Sequence, residues 1–190
     1  MRVLIFDTET SGFPEKGGKL LQFAAHVCDL SFPEPLTVLE LSTLVKCPDE
    51  IDPGALAIHG ITREMSMTGM EPLTVCRWLI GAMSKCDLIV AHNSAFDVKV
   101  MDFEFRRADL GEFNPSNVFC TMKASTDLCE LPGRFGNFKW PKLEEALPIL
   151  CGVELEGAHD ALADTRGCRT LFLELVKRGL VPQVESEEVA

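Results

Sequence analysis

The 190 residues include no tyrosine, so no phenolic side chain is available to any site the chain forms. Its eight cysteines, at positions 28, 47, 76, 86, 120, 129, 151 and 168, never fall three apart, which removes a C-x-x-C zinc or redox pair. Most lie inside apolar segments and read as small buried hydrophobes in a reducing compartment. No apolar run approaches the ~20 residues that a bilayer span needs. A signal-peptide layout is missing too, because the apolar run after Arg2 is short and ends in Asp7 rather than at a small-residue cleavage site. The expected location is cytoplasmic, with no membrane partner. Basic residues are few: 18 Lys and Arg face 29 Asp and Glu, a net charge of -11, which argues against a broadly basic nucleic-acid surface. A carboxylate-lined site nevertheless turns locally positive once divalent cations fill it.

Composition is otherwise that of an ordinary globular protein, at 46% hydrophobic and 25% charged, and the length suits one domain. Residues 1–180 are expected to form it, leaving 181–190, with Glu185, Glu187 and Glu188, as an acidic solvated tail. One stretch departs from the acidic background. Lys123, Arg134, Lys139 and Lys142 meet only Asp127 and Glu130 there, which reads as a local phosphate-facing patch.

The opening stretch organises the rest. Val3 to Asp7 is an apolar, β-favouring run expected to be a central strand buried on both faces, and it delivers Asp7 and Glu9 where it ends. Residues i and i+2 of a strand share a face, so the two carboxylates project side by side and call for a cation between them. A turn over Gly12 to Gly18 and strands over 21–28 and 36–45 complete an antiparallel meander. Asp52-Pro53 starts a short helix that stops at Gly60, and a longer one runs from Pro72 to about Ser84. Asp87 to Ala91 is a short buried strand. Ser94 is then expected to cap a helix, with Asp97 in the capping-box position and Gly111 at the end. A strand over 117–120, a helix over 122–130 and an aromatic, basic loop over 132–141 follow. Lys142 to Leu150 reads as a helix bent or ended by Pro148, and Asp160 to Lys177 as the last helix.

Taken singly, Asp97 is a helix-start residue and Asp164 a polar position on an amphipathic helix. Taken together, Phe6-Asp7-Thr8-Glu9-Thr10-Ser11-Gly12, His92-Asn93-Ser94-Ala95-Phe96-Asp97 and His159-Asp160-Ala161-Leu162-Ala163-Asp164 resemble the three motifs of the DnaQ-like exonuclease family with its DEDDh signature. Ile58-His59-Gly60-Ile61-Thr62 is similar to that family's H-G-I element, and the resemblance spans Arg2 to about Leu180. It implies an α/β fold of the ribonuclease H type, a mixed five-stranded sheet with three antiparallel strands and two parallel additions, flanked by helices.

The resemblance also implies a chemistry. Phosphodiester hydrolysis needs charge neutralised on attacking and leaving oxygens, a task for two Mg²⁺ or Mn²⁺ ions held by hard oxygen ligands. By resemblance Asp7, Glu9, Asp97 and Asp164 hold the ions, and His159 is the general base. His92, five residues before Asp97, is its rival, although the spacing favours His159. The sister group places a tyrosine where this family places the histidine, so the absence of tyrosine excludes it. Substrate contacts implied in the same way are Thr10 and the Thr8 backbone at the terminal nucleotide, Phe13 as a wedge, and Ile58, His59, Asn93 and Phe96 around the terminal-nucleotide pocket. Phe96, Phe138 and Trp140 fit a core role equally well. His26 reads as a strand residue only.

The expected function is metal-dependent 3′-to-5′ exonucleolysis releasing nucleoside 5′-monophosphates from single-stranded DNA or frayed 3′ ends. RNA trimming is the alternative, since a pocket's treatment of a 2′-OH is not written in these motifs. The resemblance is closest to proofreading exonuclease domains of bacterial replicases and their free-standing relatives. Because the chain ends shortly after its last helix, a free-standing enzyme is expected, with any DNA polymerase a separate polypeptide. A non-catalytic nucleic-acid-binding module and a metal-dependent phosphatase of small esters are the remaining rivals. A degenerate module is expected to lose a carboxylate, and none is missing.

Overall fold

A computed structural model describes residues 1–182; the acidic tail expected over 181–190 lies outside the described residues apart from its first two positions. In chain order the elements are β1 (Arg2–Thr10), a 3-10 turn (Pro14–Lys16), β2 (Leu20–Asp29), β3 (Leu36–Leu44), α1 (Pro53–His59), α2 (Arg63–Ser66), α3 (Pro72–Met83), β4 (Leu88–Ala91), α4 (Ser94–Arg107), β5 (Val118–Cys120), α5 (Thr121–Cys129), a second 3-10 turn (Arg134–Gly136), α6 (Leu143–Cys151) and α7 (Ala161–Lys177). The five strands form one sheet in the order β3-β2-β1-β4-β5. β1, β2 and β3 pair antiparallel, while β4 and β5 add in parallel, as the mixed sheet of a ribonuclease H-like fold requires.

β1 is central because its side chains suit burial on both sides. Val3, Leu4, Ile5 and Phe6 are all fully buried. Leu4 and Phe6 face a core with α3 and α4 that includes Val75, Leu79, Val100 and Met101. Val3 and Ile5 face the opposite core with Leu147 of α6 and Cys168, Leu171 and Phe172 of α7. Phe6 stacks on Phe23 with ring centroids 5.9 Å apart, and Phe119 meets Phe172 edge-on at 5.7 Å.

Three local expectations need correction. β1 runs through to Thr10, because β2 pairs with it as far as Thr10 opposite Leu20, so Asp7 and Glu9 lie within the strand rather than after it. Ser94 is not a cap: Asn93, in the left-handed conformation at φ 65°, occupies that position without a side-chain cap, and α4 ends at Arg107, well before Gly111. Counted from Asn93, Asp97 falls one residue past the position a capping box uses, and its carboxylate accepts from the Thr8 hydroxyl instead. Pro148 does not end α6, which continues to Cys151 with Leu143, Ala146 and Leu147 buried. The short α2, capped by the Thr62 hydroxyl accepting from the Met65 N–H, was not foreseen. All eight cysteines are free thiols, five of them buried. Among the described residues no helix is long and apolar enough to cross a membrane.

Candidate active site

The ladder between β1 and β4 runs from Val3 opposite Leu88 to Ile5 opposite Val90. β4 stops at Ala91, so the C-terminal half of β1 outruns its parallel neighbour and the first turn of α4 moves in beside it. Alternation along the strand then sorts the side chains. Asp7 and Glu9 share the face of Val3 and Ile5, towards α7, whereas Thr8 shares the face of Leu4 and Phe6, towards α4. Asp97, fully buried in the first turn of α4, accepts a hydrogen bond from the Thr8 hydroxyl at 2.8 Å.

From α7 comes the third acidic element. Asp160 caps the helix, its Oδ1 accepting from the Leu162 and Ala163 N–H groups at 3.1 Å each. Its Oδ2 accepts from Gln22 Nε2 at 2.9 Å, and Gln22 Oε1 in turn accepts from the Ala161 N–H at 3.2 Å, so β2 clasps the helix start. His159, just before the cap, is left-handed at φ 68° and exposed, and its N–H donates to Asp164 Oδ2 at 3.1 Å. Ligand atoms of Glu9, His159 and Asp164 lie within 4.8 Å of one another.

The electrostatics follow from crowding acids at the end of a buried strand. Burial raises the Asp7 carboxyl well above its usual range, and Asp97, Asp164 and Glu9 push it further. Burial first, then Asp164, Asp97 and Asp160, lift Glu9 to about 8. Asp97 and Asp164 are also raised, chiefly by burial, against the lowering pull of Thr8 on the first and of the His159 N–H on the second. Four carboxylates that resist carrying charge together make a donor set of hard oxygens suited to a divalent cation.

Two cavities count these acids among their lining residues. The first, of about 300 Å³, is lined by Asp7, His92, Asn93, Trp140, Lys142, His159 and Asp164. The second, of about 320 Å³, is lined by Glu9, Thr10, Phe13, Ile58, His59 and Phe96. The structure thus brings Thr10, Phe13, Ile58, His59 and Phe96 together, whereas Asn93 lines the first cavity and Thr8 is buried with its hydroxyl on Asp97. Phe13 is 63% exposed and Ile58 58%, so neither is core; Phe96 both packs on the core and lines the cavity. Gly18 closes the turn behind Phe13, where a Cβ would fall 2.1 Å from Gly12 O.

The other histidines are occupied. His92 Nδ1 bonds the Thr121 hydroxyl at 3.0 Å and its Nε2 donates to Pro141 O at 3.1 Å, while burial pushes its pKa down to about 4. A ring with both nitrogens engaged cannot serve as a free base. His59 donates from Nε2 to Thr10 O at 3.1 Å and accepts the Ile61 N–H on Nδ1 at 3.0 Å, tying α1 to the end of β1. His26 bonds Thr37 across the β2–β3 pair. Of the basic segment only Lys142 lines a cavity at the acids; Lys142 pairs with Glu144 at 3.0 Å and Lys139 with Glu145 at 2.5 Å. Sequence reasoning missed the Gln22–Asp160 clasp, although a glutamine in an otherwise apolar strand, opposite Glu9, was its trace.

A family model named RNase_T and described as Exonuclease matches residues 4–172. Uncharacterized exonuclease CP81 of Escherichia phage 186 is 29% identical over 189 residues, covering 93% of this chain and 89% of that protein. Ribonuclease T of Salmonella choleraesuis (strain SC-B67) is 30% identical over 190 residues, 92% and 84% respectively. DNA polymerase III subunit epsilon of Haemophilus influenzae is 30% identical over 114 residues, but the match covers only 57% of this chain and 43% of that subunit. E. coli exonuclease I in complex with a dT13 oligonucleotide superimposes with a TM-score of 0.75 at 20% identity, over 93% of this chain and 41% of its own, a likeness of fold alone.

Proposed function

The chain belongs to the RNase_T exonuclease family, and on that premise we propose that it is a metal-dependent 3′-to-5′ exonuclease of the DEDDh type. It releases nucleoside 5′-monophosphates from single-stranded DNA 3′ ends. The observation that carries this reading is the convergence of Glu9, His159 and Asp164 within 4.8 Å, beside Asp7 on the same strand face.

Asp7, Glu9, Asp97 and Asp164 would hold two Mg²⁺ or Mn²⁺ ions. When bound, the ions neutralise charge on the phosphodiester oxygens and favour the ionised form of an attacking water. The chain's own residues do the rest. His159 accepts the water's proton on a ring nitrogen, its backbone fixed by the Asp164 carboxylate. Thr8 fixes the rotamer of Asp97. Phe13, Ile58 and Phe96 offer apolar surface to the terminal nucleoside without reading its base.

RNA trimming is the second reading, favoured by the near full-length similarity to ribonuclease T. The two are separated by supplying matched single-stranded DNA and RNA oligonucleotides with Mg²⁺ or Mn²⁺ and identifying products by chromatography. Stepwise release of 5′-mononucleotides from the 3′ end, blocked by chelator, is expected. Binding without release, internal cuts, or turnover of a chromogenic phosphomonoester alone would overturn the assignment.

A further inference from the structure

We propose that Gln22 on β2 is a positioning residue for His159, its amide fixing the start of α7 so that the imidazole stays within reach of Glu9 and Asp164. This rests on the nuclease reading above and adds to it the side chain that places the base. Gln22 is buried and stands directly opposite Glu9 in the ladder between β1 and β2. One cross-strand pair therefore carries a carboxylate of the acidic cluster on one strand and the anchor of α7 on the other.

The backbone of His159 is what needs the anchor. It is left-handed at φ 68°, a conformation that a non-glycine residue keeps only where its surroundings impose it. It also lies outside α7, which begins at Ala161. Gln22 acts on the two residues that follow. Its Nε2 donates to Asp160 Oδ2 at 2.9 Å, its Oε1 accepts from the Ala161 N–H at 3.2 Å, and Nε2 makes a longer donation to the Ser42 hydroxyl at 3.4 Å. Asp160 Oδ1 is already committed to the Leu162 and Ala163 N–H groups, so both of its carboxylate oxygens are held. A primary amide suits the position because it donates to a carboxylate and accepts from a peptide N–H at once. Being neutral, it does so without adding a charge opposite Glu9.

The test uses the polarity of this clasp. Gln22→Met keeps the length of the side chain and removes its bonds. With a single-stranded oligonucleotide and Mg²⁺ or Mn²⁺, kcat is expected to fall about 10- to 100-fold with KM little changed, the fold-change of losing hydrogen bonds to a charged group. In a His159→Ala background the same substitution is expected to cost little further. Gln22→Glu alone leaves two acceptors face to face, Asp160→Asn alone two donors, and each is expected to lower kcat. The double variant reverses the polarity: the new amide at 160 donates to the new carboxylate at 22, which still accepts the Ala161 N–H, and most of kcat should return. Amide hydrogen exchange followed by NMR needs no hydrolysis. In Gln22→Met the Ala161 N–H should lose protection while that of Leu171, deeper in α7, keeps it; where Leu171 exchanges as well, the double variant decides. Equal losses with and without His159, no recovery in the double variant, or an unchanged kcat once Ala161 has lost protection would overturn the role of Gln22. A wild type that releases no nucleotide sinks the nuclease reading instead.

Discussion

The Thr8 hydroxyl donates to Asp97 Oδ1 across 89 positions of sequence, joining the central strand to the helix on its opposite side from Glu9. It ties the first acidic element directly to the second, and it lowers the pKa of the buried Asp97 carboxyl against the larger upward push of desolvation. Thr8→Val keeps the shape and removes the donor. We expect kcat to fall about 10- to 100-fold, as for a hydrogen bond to a charged group, with the acid limb of the pH-rate profile moved upward, and Thr8→Ser to restore both. An unchanged profile would mean that Thr8 only packs.

Asp7→Asn should abolish nucleotide release and yet stabilise the metal-free protein. The charge it deletes is opposed by burial and by Asp97, Asp164 and Glu9. Relief of ~1 kcal/mol corresponds to a melting temperature about 2 to 4 °C higher for a chain of this size. A lower melting temperature without metal would contradict the crowding.

The same crowding sets a pH dependence. Glu9 titrates near 8 in the folded chain against 4.5 for the free side chain, so the folded state binds the proton more tightly. Its contribution to stability is complete below about 4.5 and is lost as pH rises through 8. The melting temperature of metal-free protein should therefore decline over that window, and Mg²⁺ or Mn²⁺ should raise it more at pH 8 than at pH 5.5. Calorimetry at matched ionic strength measures both.

Two histidines near the acids should answer differently to alanine. His159→Ala should lower kcat by about 10²- to 10⁴-fold with little change in melting temperature, because the ring is exposed. His92→Ala removes the ring partner of the Pro141 carbonyl and one of the partners of the Thr121 hydroxyl, an expected loss of roughly 3 to 10 °C. Reversed outcomes would exchange their roles.

The antiparallel meander, the strand carrying Asp7 and Glu9, and the helix bearing Asp164 were legible because each rests on a local signal, an alternating or continuous apolar run or an inward apolar stripe, while the mixed five-stranded sheet came with the family resemblance. What escaped was partnership across distance. Asp97 looks like half of a capping box when only Ser94 is in view, and becomes the acceptor of Thr8 only when β1 and α4 are folded together. Asp160 reads as a cap, as it is, but nothing near it points to Gln22. The length of β1 was underestimated because Thr8 and Thr10 break the apolar run, although pairing with β2 continues to Leu20. α2, at four residues, is too short for any periodicity to register.

Since β1 presents alternate residues to opposite layers, its phase along the sheet is the enzyme's most fragile coordinate. Sliding the strand by one position would turn both carboxylates towards α4 and hand their place to Thr8, while every backbone bond to β2 could re-form. Lengthening the connection between β2 and β3, at the far end of those strands from Asp7 and Glu9, leaves that phase untouched. Natural variation in chain length is accordingly easier to accommodate in that hairpin than anywhere between Val3 and Thr10.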